Sequence, residues 1–459
     1  MPALRSLTTA LAAAAALLVP AAAAHASGDA GVVLRPKTTA GAEQVRSAAT
    51  AAGLAVPEPI GGGAQRAALR AGTETRDALR ALRADPAIAW ASADRVARTA
   101  DFVPNDSGRA ARSGPPGGWQ TEAWNLSGPF GIRAPGAWSL SQQVAGRSGG
   151  RGITVAVLDT GVAYADRPPY RRSPDLPARR LLSGYDFVAD DRYPNDANGH
   201  GTFVATTIAG AANNSYGMPG IAYAADILPV RVLNAAGEGS SSRIAEGIRY
   251  AVRRGARVIN VSIELFDPVY YQPQSITAAP EIRSALKFAA SRNAVVVGAT
   301  GNSAATNVPS TTVGWSIIQV GGTTEHGCLG DYSNHGPGMD LVAPGGGRDG
   351  IVPGDADCRP GSTPGRNIEQ VTFRRSAPGT FVVPDNYRGT SMAAPHVTGV
   401  VALLLATGRL GSDPKPTAVE QRLKSTARDL GEPGPDGSYG AGLLDAAAAL
   451  GAPPQAPSR

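Results

Sequence analysis

Five short apolar runs constrain the fold of this chain more than any other feature: residues 153–158 (ITVAVL), 227–232 (ILPVRV), 258–261 (VINV), 294–298 (AVVVG) and 317–320 (IIQV). None shows a sustained alternation of apolar and polar positions. They read as strands buried on both faces, which is how parallel strands under two layers of helix read. The stretches between them have helical character; in residues 241–254, Ile244, Ile248 and Ala251 mark one face. Strands alternating with helices predict an α/β fold with a mostly parallel central sheet and helices on both sides. A chain of 459 residues, 42% hydrophobic, has ample material for one such large domain and a small unit before it.

Open α/β sheets gather ligand chemistry at the carboxyl ends of their strands. Asp159, in AVLDTGV, falls there. His200, in NDANGHGTFVATTIAG, stands where a small, apolar helix would start. Ser391, in RGTSMAAPHVTGVVALL, precedes a long apolar helix reaching to about Leu405. A serine hydroxyl becomes a nucleophile when an imidazole takes its proton and a carboxylate holds the imidazole's tautomer, and these three side chains supply those groups. Plainer readings exist for each: an isolated His is ordinarily structural, and a Ser at a helix start is commonly an N-cap. Of five histidines (His25, His200, His326, His335 and His396), His25 lies in a leader and the last three have no comparable context. Asn302, in NAVVVGATGNSA, enters a Gly-rich turn, where Asn is usually a turn former.

The three motifs in the order Asp, His, Ser resemble the subtilisin family of serine peptidases; α/β-hydrolases run Ser, acid, His and carry G-x-S-x-G instead of GTSMA. The resemblance covers about residues 102–450 and implies a subtilisin-like fold and a serine endopeptidase that needs no cofactor for catalysis. It makes Ser391 the nucleophile, His200 the general base and acid, and Asp159 the orienting carboxylate. Asn302 becomes the side-chain donor that joins the Ser391 N–H at the oxyanion, worth about 3 kcal/mol of barrier. LNAAGEGSSS (with Gly237 and Gly239) and VINVSIE (with Ser262 and Glu264) match the family's substrate-binding edges, which pair with an extended peptide by strand addition. The alternative is ordinary core strand and loop. Two departures stand out: Glu264 where the family usually has Gly, and Phe203 where it usually has a second His. Glu264, with Glu238, would bias the cleft toward basic side chains, unless it is simply a solvated surface Glu.

Residues 1–26, with Arg5, an Ala/Leu-rich stretch and Ala24-His25-Ala26, have the pattern of a secretory signal peptide. Pro20, and the lack of later apolar runs of about 18 residues, predict no membrane anchor. Residues 27–100 open on GVVLRP, continue through two Arg/Ala-rich helical stretches and end on DPAIAWASADRVAR; they resemble an inhibitory propeptide, with an unrelated small domain as the alternative. Residues 101–118 read as linker and maturation region, 119–450 as the catalytic domain and 451–459 as a short tail. Residues 27–100 carry ten Arg/Lys against seven Asp/Glu and Arg5 adds one, so only +2 of the chain's +6 belongs to the rest. With no basic stripe either, nucleic acid is not an expected partner. Expected partners are protein or peptide substrates and the chain's own propeptide; the enzyme is expected to be secreted and monomeric.

Cys328 and Cys358, the only cysteines, are expected to pair across a loop of roughly 30 residues, as exported cysteines usually do; two free thiols are the alternative. Subtilisins often bind structural calcium, and Asp186, Asp190, Asp191 and Asp196 are candidate carboxylates, although no twelve-residue calcium loop is present and no ligand is assigned. Two other function classes fit the sequence less well. A binding protein with a non-productive cleft would most easily lose the catalytic positions, and all four are filled here. A nucleotide-binding protein would need a Gly-rich phosphate motif, and neither G-x-x-x-x-G-K-[ST] nor G-x-G-x-x-G after a first strand occurs.

Overall fold

The computed structural model describes residues 31–94, 102–112, 116–144, 146–267, 272–274, 276–308, 317–352, 355, 358 and 364–454. The expected signal peptide, the ends of the propeptide-like segment, residues 101 and 113–115 of the linker and residues 455–459 of the tail lie outside the described residues. The chain divides into two compact units, Met1–Ala100 and Asp101–Arg459.

In the first unit, β1 (Gly31–Pro36) lies between β3 (Ala64–Ala68) and β4 (Ile88–Ala93), and β2 (Glu58–Gly61) edges β3; every pairing is antiparallel. Helices α1 (Ala42–Ala51) and α2 (Thr75–Ala84) add Val45, Ala49 and Leu82 to a core that contains Val32, Leu34, Leu54 and Ile88. GVVLRP is the central strand. The β2–β3 hairpin was not foreseen, because EPIG and AQRAA carry little of the β-branched signal that marks a strand.

The second unit is built on a seven-stranded parallel sheet. Its strands are β5 (Thr154–Asp159), β6 (Tyr185–Asp186), β7 (Asp226–Arg231), β8 (Val258–Val261), β11 (Val295–Ala299), β12 (Ile317–Thr323) and β13 (Leu341–Pro344), in the spatial order β13-β12-β11-β8-β5-β7-β6. Two small hairpins lie outside it: β9 (Leu265–Asp267) with β10 (Gln272–Gln274), and β14 (Thr372–Arg374) with β15 (Ala377–Val382). Period-two geometry sends Val155 and Val157 of β5 into one core and Ala156 and Leu158 into another. The first core also holds side chains of α5 (Ala134–Gln142), α6 (His200–Ala209), α9 (Thr390–Thr407) and α10 (Pro416–Thr426). The second holds those of α7 (Ser241–Arg253) and α8 (Pro280–Ala290). Two cores on one sheet explain why its strands are apolar throughout. Two single-turn helices near the start of the unit, α3 (Trp119–Glu122) and α4 (Trp124–Ser127), and one at its end, α11 (Ala446–Ala449), close the first core.

Helix α9 corrects one expectation. Its 18 residues are apolar enough to cross a membrane, so an apolar run of that length does follow the leader, but it is 89% buried and serves as the helix at the centre of the first core. Cys328 and Cys358 are joined by a disulfide.

Candidate functional site

Asp159 is the last residue of β5 and is wholly buried. His200 is the first residue of α6, and its Nδ1 lies 2.8 and 2.9 Å from the two carboxylate oxygens of Asp159. The Thr160 N–H also donates to Asp159 Oδ1, at 2.7 Å. Burial pulls the imidazole pKa down, but the Asp159 charge, the hydrogen bond to it and the charge of Asp196 together leave it raised above the ordinary value of 6.5. With Nδ1–H donating to Asp159, Nε2 carries the lone pair.

Asp196, read from the sequence as a candidate calcium ligand, has a different task. Its buried carboxylate accepts from Thr160 Oγ1 (2.8 Å), from the N–H groups of Asn198, Gly199 and Thr202, and from Thr202 Oγ1 (2.7 Å). Thr160 Oγ1 in turn accepts from the Gly201 N–H at 3.0 Å. The network ties the end of β5 to the start of α6 and so fixes the Asp159–His200 pair. The other three candidates are also committed within the protein. Asp186 binds Arg231 at 2.7 Å and accepts from Val188 N and Ala189 N, Asp190 accepts from the Tyr185 hydroxyl, and Asp191 from Tyr193 N.

Ser391 is the second residue of α9, and the cap position belongs to Gly389, so the N-cap reading of Ser391 does not hold. Gly389 has φ 138°, and a Cβ there would come within 3.1 Å of Asn302 Oδ1, which makes glycine the fitting residue. Asn302 Oδ1 accepts from Thr390 N (2.8 Å) and Thr390 Oγ1 (3.1 Å). An N–H can only donate, so the oxygen of the Asn302 amide is fixed and Nδ2 is the end that remains to donate. The Met392 N–H bonds to the Gly389 carbonyl, and the Ser391 N–H has no protein partner among the described residues. A free backbone donor at a helix start beside a side-chain amide is the arrangement that stabilises a developing oxyanion.

Pro395 lies four residues after Ser391 and has no N–H to give the Ser391 carbonyl. Ser262 Oγ supplies that bond instead, at 2.9 Å, and the Ser391 hydroxyl donates to the Ser262 carbonyl at 3.2 Å. Asn260, buried in β8, donates to Ser262 Oγ and accepts from Thr398 Oγ1 of α9. Ser262 is thereby locked to the Ser391 backbone.

Gly237, Gly239 and Glu264 line a cleft of about 680 Å³, with Leu233, Ile244 and Ile263 as its apolar floor. Glu238 is exposed at its rim. The Glu264 carboxylate bonds to the 302–303 turn and to Asn334. Phe203, in place of the expected His, is fully buried and stacks on Tyr387 at 4.1 Å, while Thr372 Oγ1 bonds to the Gly199 carbonyl at 2.6 Å. The long segment before Ser391 thus packs against the start of α6. His396 is a core residue between Met392 O and Asn125, its pKa lowered to about 4 by burial. Asp196, Asn260 and Asn334 were not found as site residues from sequence; the one legible signal was the Asn inside the apolar run VINV.

Among the described residues no group of three or more His, Cys, Asp or Glu could hold a metal ion. Two buried carboxylates nonetheless suit a hard cation with additional oxygen ligands. Asp106 Oδ2 accepts from Asn213 N and Asp175 Oδ1 from Asn214 Nδ2, while Asp106 Oδ1 and Asp175 Oδ2 are buried without a partner. Burial raises the Asp106 pKa to about 6; burial, with the charge of Asp106 adding to it, raises that of Asp175 well above its usual value.

Comparison with known proteins identifies the family. The sequence profile of the Subtilase family matches residues 150–442. The chain is 32% identical to the alkaline elastase YaB of a Bacillus species over 80% of its own length and 76% of the relative's. It is 34% identical to subtilisin Savinase of Lederbergia lenta over 68% of its length and 97% of the relative's. A solved protease structure from Pseudoalteromonas arctica, at 30% identity, superposes with a TM-score of 0.58 and covers 76% of this chain and 99% of its own.

Proposed function

The chain belongs to the subtilase family and is a serine endopeptidase of the subtilisin-like α/β fold, and from this we propose that Ser391 is its nucleophile, His200 its general base and acid, Asp159 the orienting carboxylate and Asn302 the side-chain oxyanion donor. The observation that carries the assignment is the His200 Nδ1 contact with both oxygens of a buried Asp159, which leaves Nε2 basic. Ser391 Oγ forms a bond to the peptide carbonyl carbon as its proton passes to Nε2, and the carbonyl π pair moves to oxygen. That oxyanion takes hydrogen bonds from the Ser391 N–H and Asn302 Nδ2. Collapse breaks the C–N bond, and Nε2 returns the proton to the departing amine. Water then cleaves the acyl-enzyme by the same route. No cofactor takes part.

The substrate is an extended peptide lying between the 237–239 and 262–264 edges, with a side chain in the apolar floor of the cleft. The leader pattern, together with a relative from Xanthomonas campestris named as an extracellular protease, supports a secreted enzyme. Residues 27–100 act as an inhibitory propeptide that the enzyme removes itself. A structural calcium between Asp106 and Asp175 would neutralise their unpartnered oxygens.

The test is the intact mass of the secreted product of the wild type beside that of Ser391→Ala. The wild type is expected to lose about residues 27–100 and the variant to keep them. If both stay full length, the nucleophile assignment fails; if both shorten alike, self-processing fails.

A further inference from the structure

A carboxylate beside an oxyanion hole is an electrostatic liability, since it repels the charge that develops there, and Glu264 places one in that position. Its own surroundings engage it. Oε2 accepts from the Asn302 N–H at 3.2 Å, and Oε1 accepts from Ser303 Oγ at 3.2 Å and Asn334 Nδ2 at 3.1 Å. Asn334, which is buried, braces the same turn from below. Its Nδ2 also donates to the Thr300 carbonyl, and its Oδ1 accepts from Ser303 N and Ala305 N at 2.9 Å and lies 3.0 Å from Ser303 Oγ, so it competes with Glu264 Oε1 for that hydroxyl's single proton. Gly301 is shaped to this arrangement. It has φ 108°, and a Cβ there would fall 2.3 Å from both Glu264 Oε1 and Asn334 Nδ2.

Asn302 is therefore held at two points. Its side-chain oxygen is fixed by Thr390, and its backbone N–H is fixed by Glu264. Asn302 is exposed on a short turn, so these hydrogen bonds, rather than burial, set its position.

We infer that Glu264 is a positioning residue for the oxyanion donor: its carboxylate clamps the 301–303 turn so that Asn302 Nδ2 stays aimed at the oxyanion, and it does not select basic substrate side chains. The inference rests on the reading of Asn302 and Ser391 proposed above. Both carboxylate oxygens of Glu264 are engaged, Oε2 by the Asn302 N–H and Oε1 by Asn334 Nδ2 with a share of the Ser303 hydroxyl proton, and a carboxylate so engaged has less to offer a lysine or arginine in the cleft.

The test compares wild type, Glu264→Ala and Glu264→Gln on two otherwise identical peptide amides, one with a lysine and one with a neutral side chain at the position before the scissile bond. Glu264→Ala is expected to lower kcat about tenfold on both peptides with KM within about twofold, a fraction of the loss that follows removal of a whole oxyanion donor. Glu264→Gln keeps an oxygen for the Asn302 N–H and should stay within about threefold of wild type on both. In an Asn302→Ala background, Glu264→Ala should have no further effect on kcat, because there is no donor left to aim. A selective loss on the lysine peptide that Gln reproduces would overturn the inference in favour of charge recognition, and additive losses with Asn302→Ala would overturn it in favour of a general structural role. If Glu264→Ala does not fold, the Gln variant still decides, since charge recognition requires it to lose the lysine preference. Wild type that cleaves neither peptide would instead refute the catalytic assignment on which the inference rests, a result separable from all of these.

Discussion

Replacing Asp159 by Asn keeps the shape of the site and removes one charge, and the structure says how the new amide would sit. Thr160 N–H donates to Oδ1 and needs an acceptor there, so the Asn oxygen stays in place and its NH2 takes the position of Oδ2, facing His200 Nδ1. The imidazole must then accept at Nδ1 and carry its proton on Nε2, where it cannot take one from Ser391. The lost attraction between the carboxylate and the imidazolium of the transition state, at about 4 Å between charge centres and an effective dielectric of about 20, is about 4 kcal/mol. That alone is about 10³-fold in rate. The wrong tautomer brings the expected fall in kcat to about 10⁴-fold, with KM nearly unchanged because no substrate contact is altered. The pH profile supplies an independent sign. In the wild type Asp159 and Asp196 outweigh burial and hold the His200 pKa above its ordinary value, so the neutral base accumulates only as pH rises through that elevated value. With Asn, burial dominates and the acid limb moves to lower pH. The assay is kcat and KM for a chromogenic peptide amide across the acidic to alkaline range. A loss smaller than about tenfold, or an acid limb that does not move, would refute the reasoning.

Two further outcomes concern stability. Replacing both Cys328 and Cys358 by Ser opens a loop closed across 30 residues and should lower the unfolding free energy by about 3.6 kcal/mol, read by denaturant titration; an unchanged midpoint would contradict the loop-closure argument. Chelation of divalent cations should lower the melting temperature, and more so at neutral than at acid pH. A carboxyl raised to about 6 in the folded state, as at Asp106, is most favourable to folding while protonated, below the ordinary 3.8, and that contribution is lost as pH rises through 6 unless a cation compensates. Calorimetry with and without chelator at the two pH values checks this, and an equal effect at both would argue against the Asp106–Asp175 site.

The fold was legible where burial imposes a simple rule. VAVLD, VINV, VVVGA and IIQV announce themselves because the sheet is covered on both faces, whereas the β2–β3 hairpin of the first unit, paired through AQRAA, does not. Asp159, His200 and Ser391 were legible because each stands at the end of a strand or the start of a helix, in a motif short enough to read. The residues that hold them were not. Asn334 and the clamp at Glu264 act on partners tens of residues away, and Asp196 and Asn260 each join near neighbours to one distant partner, Thr160 and Thr398; hydrogen bonds between distant segments leave no periodicity in the chain. Asp196 shows the consequence: from sequence it was one more acidic loop residue suited to calcium, and in the fold its carboxylate is saturated by the turn that sets His200.

The central claim is that Ser391 is the activated nucleophile, and covalent labelling tests it most directly. Wild type treated with an organophosphonate that phosphonylates activated serines, Ser391 Oγ bonding to phosphorus as the reagent's leaving group departs, should gain one adduct, mapped by peptide mass analysis to the peptide containing Ser391, and the adduct should be lost in His200→Ala. Labelling at a different serine, or undiminished labelling of Ser391 without His200, would contradict the account.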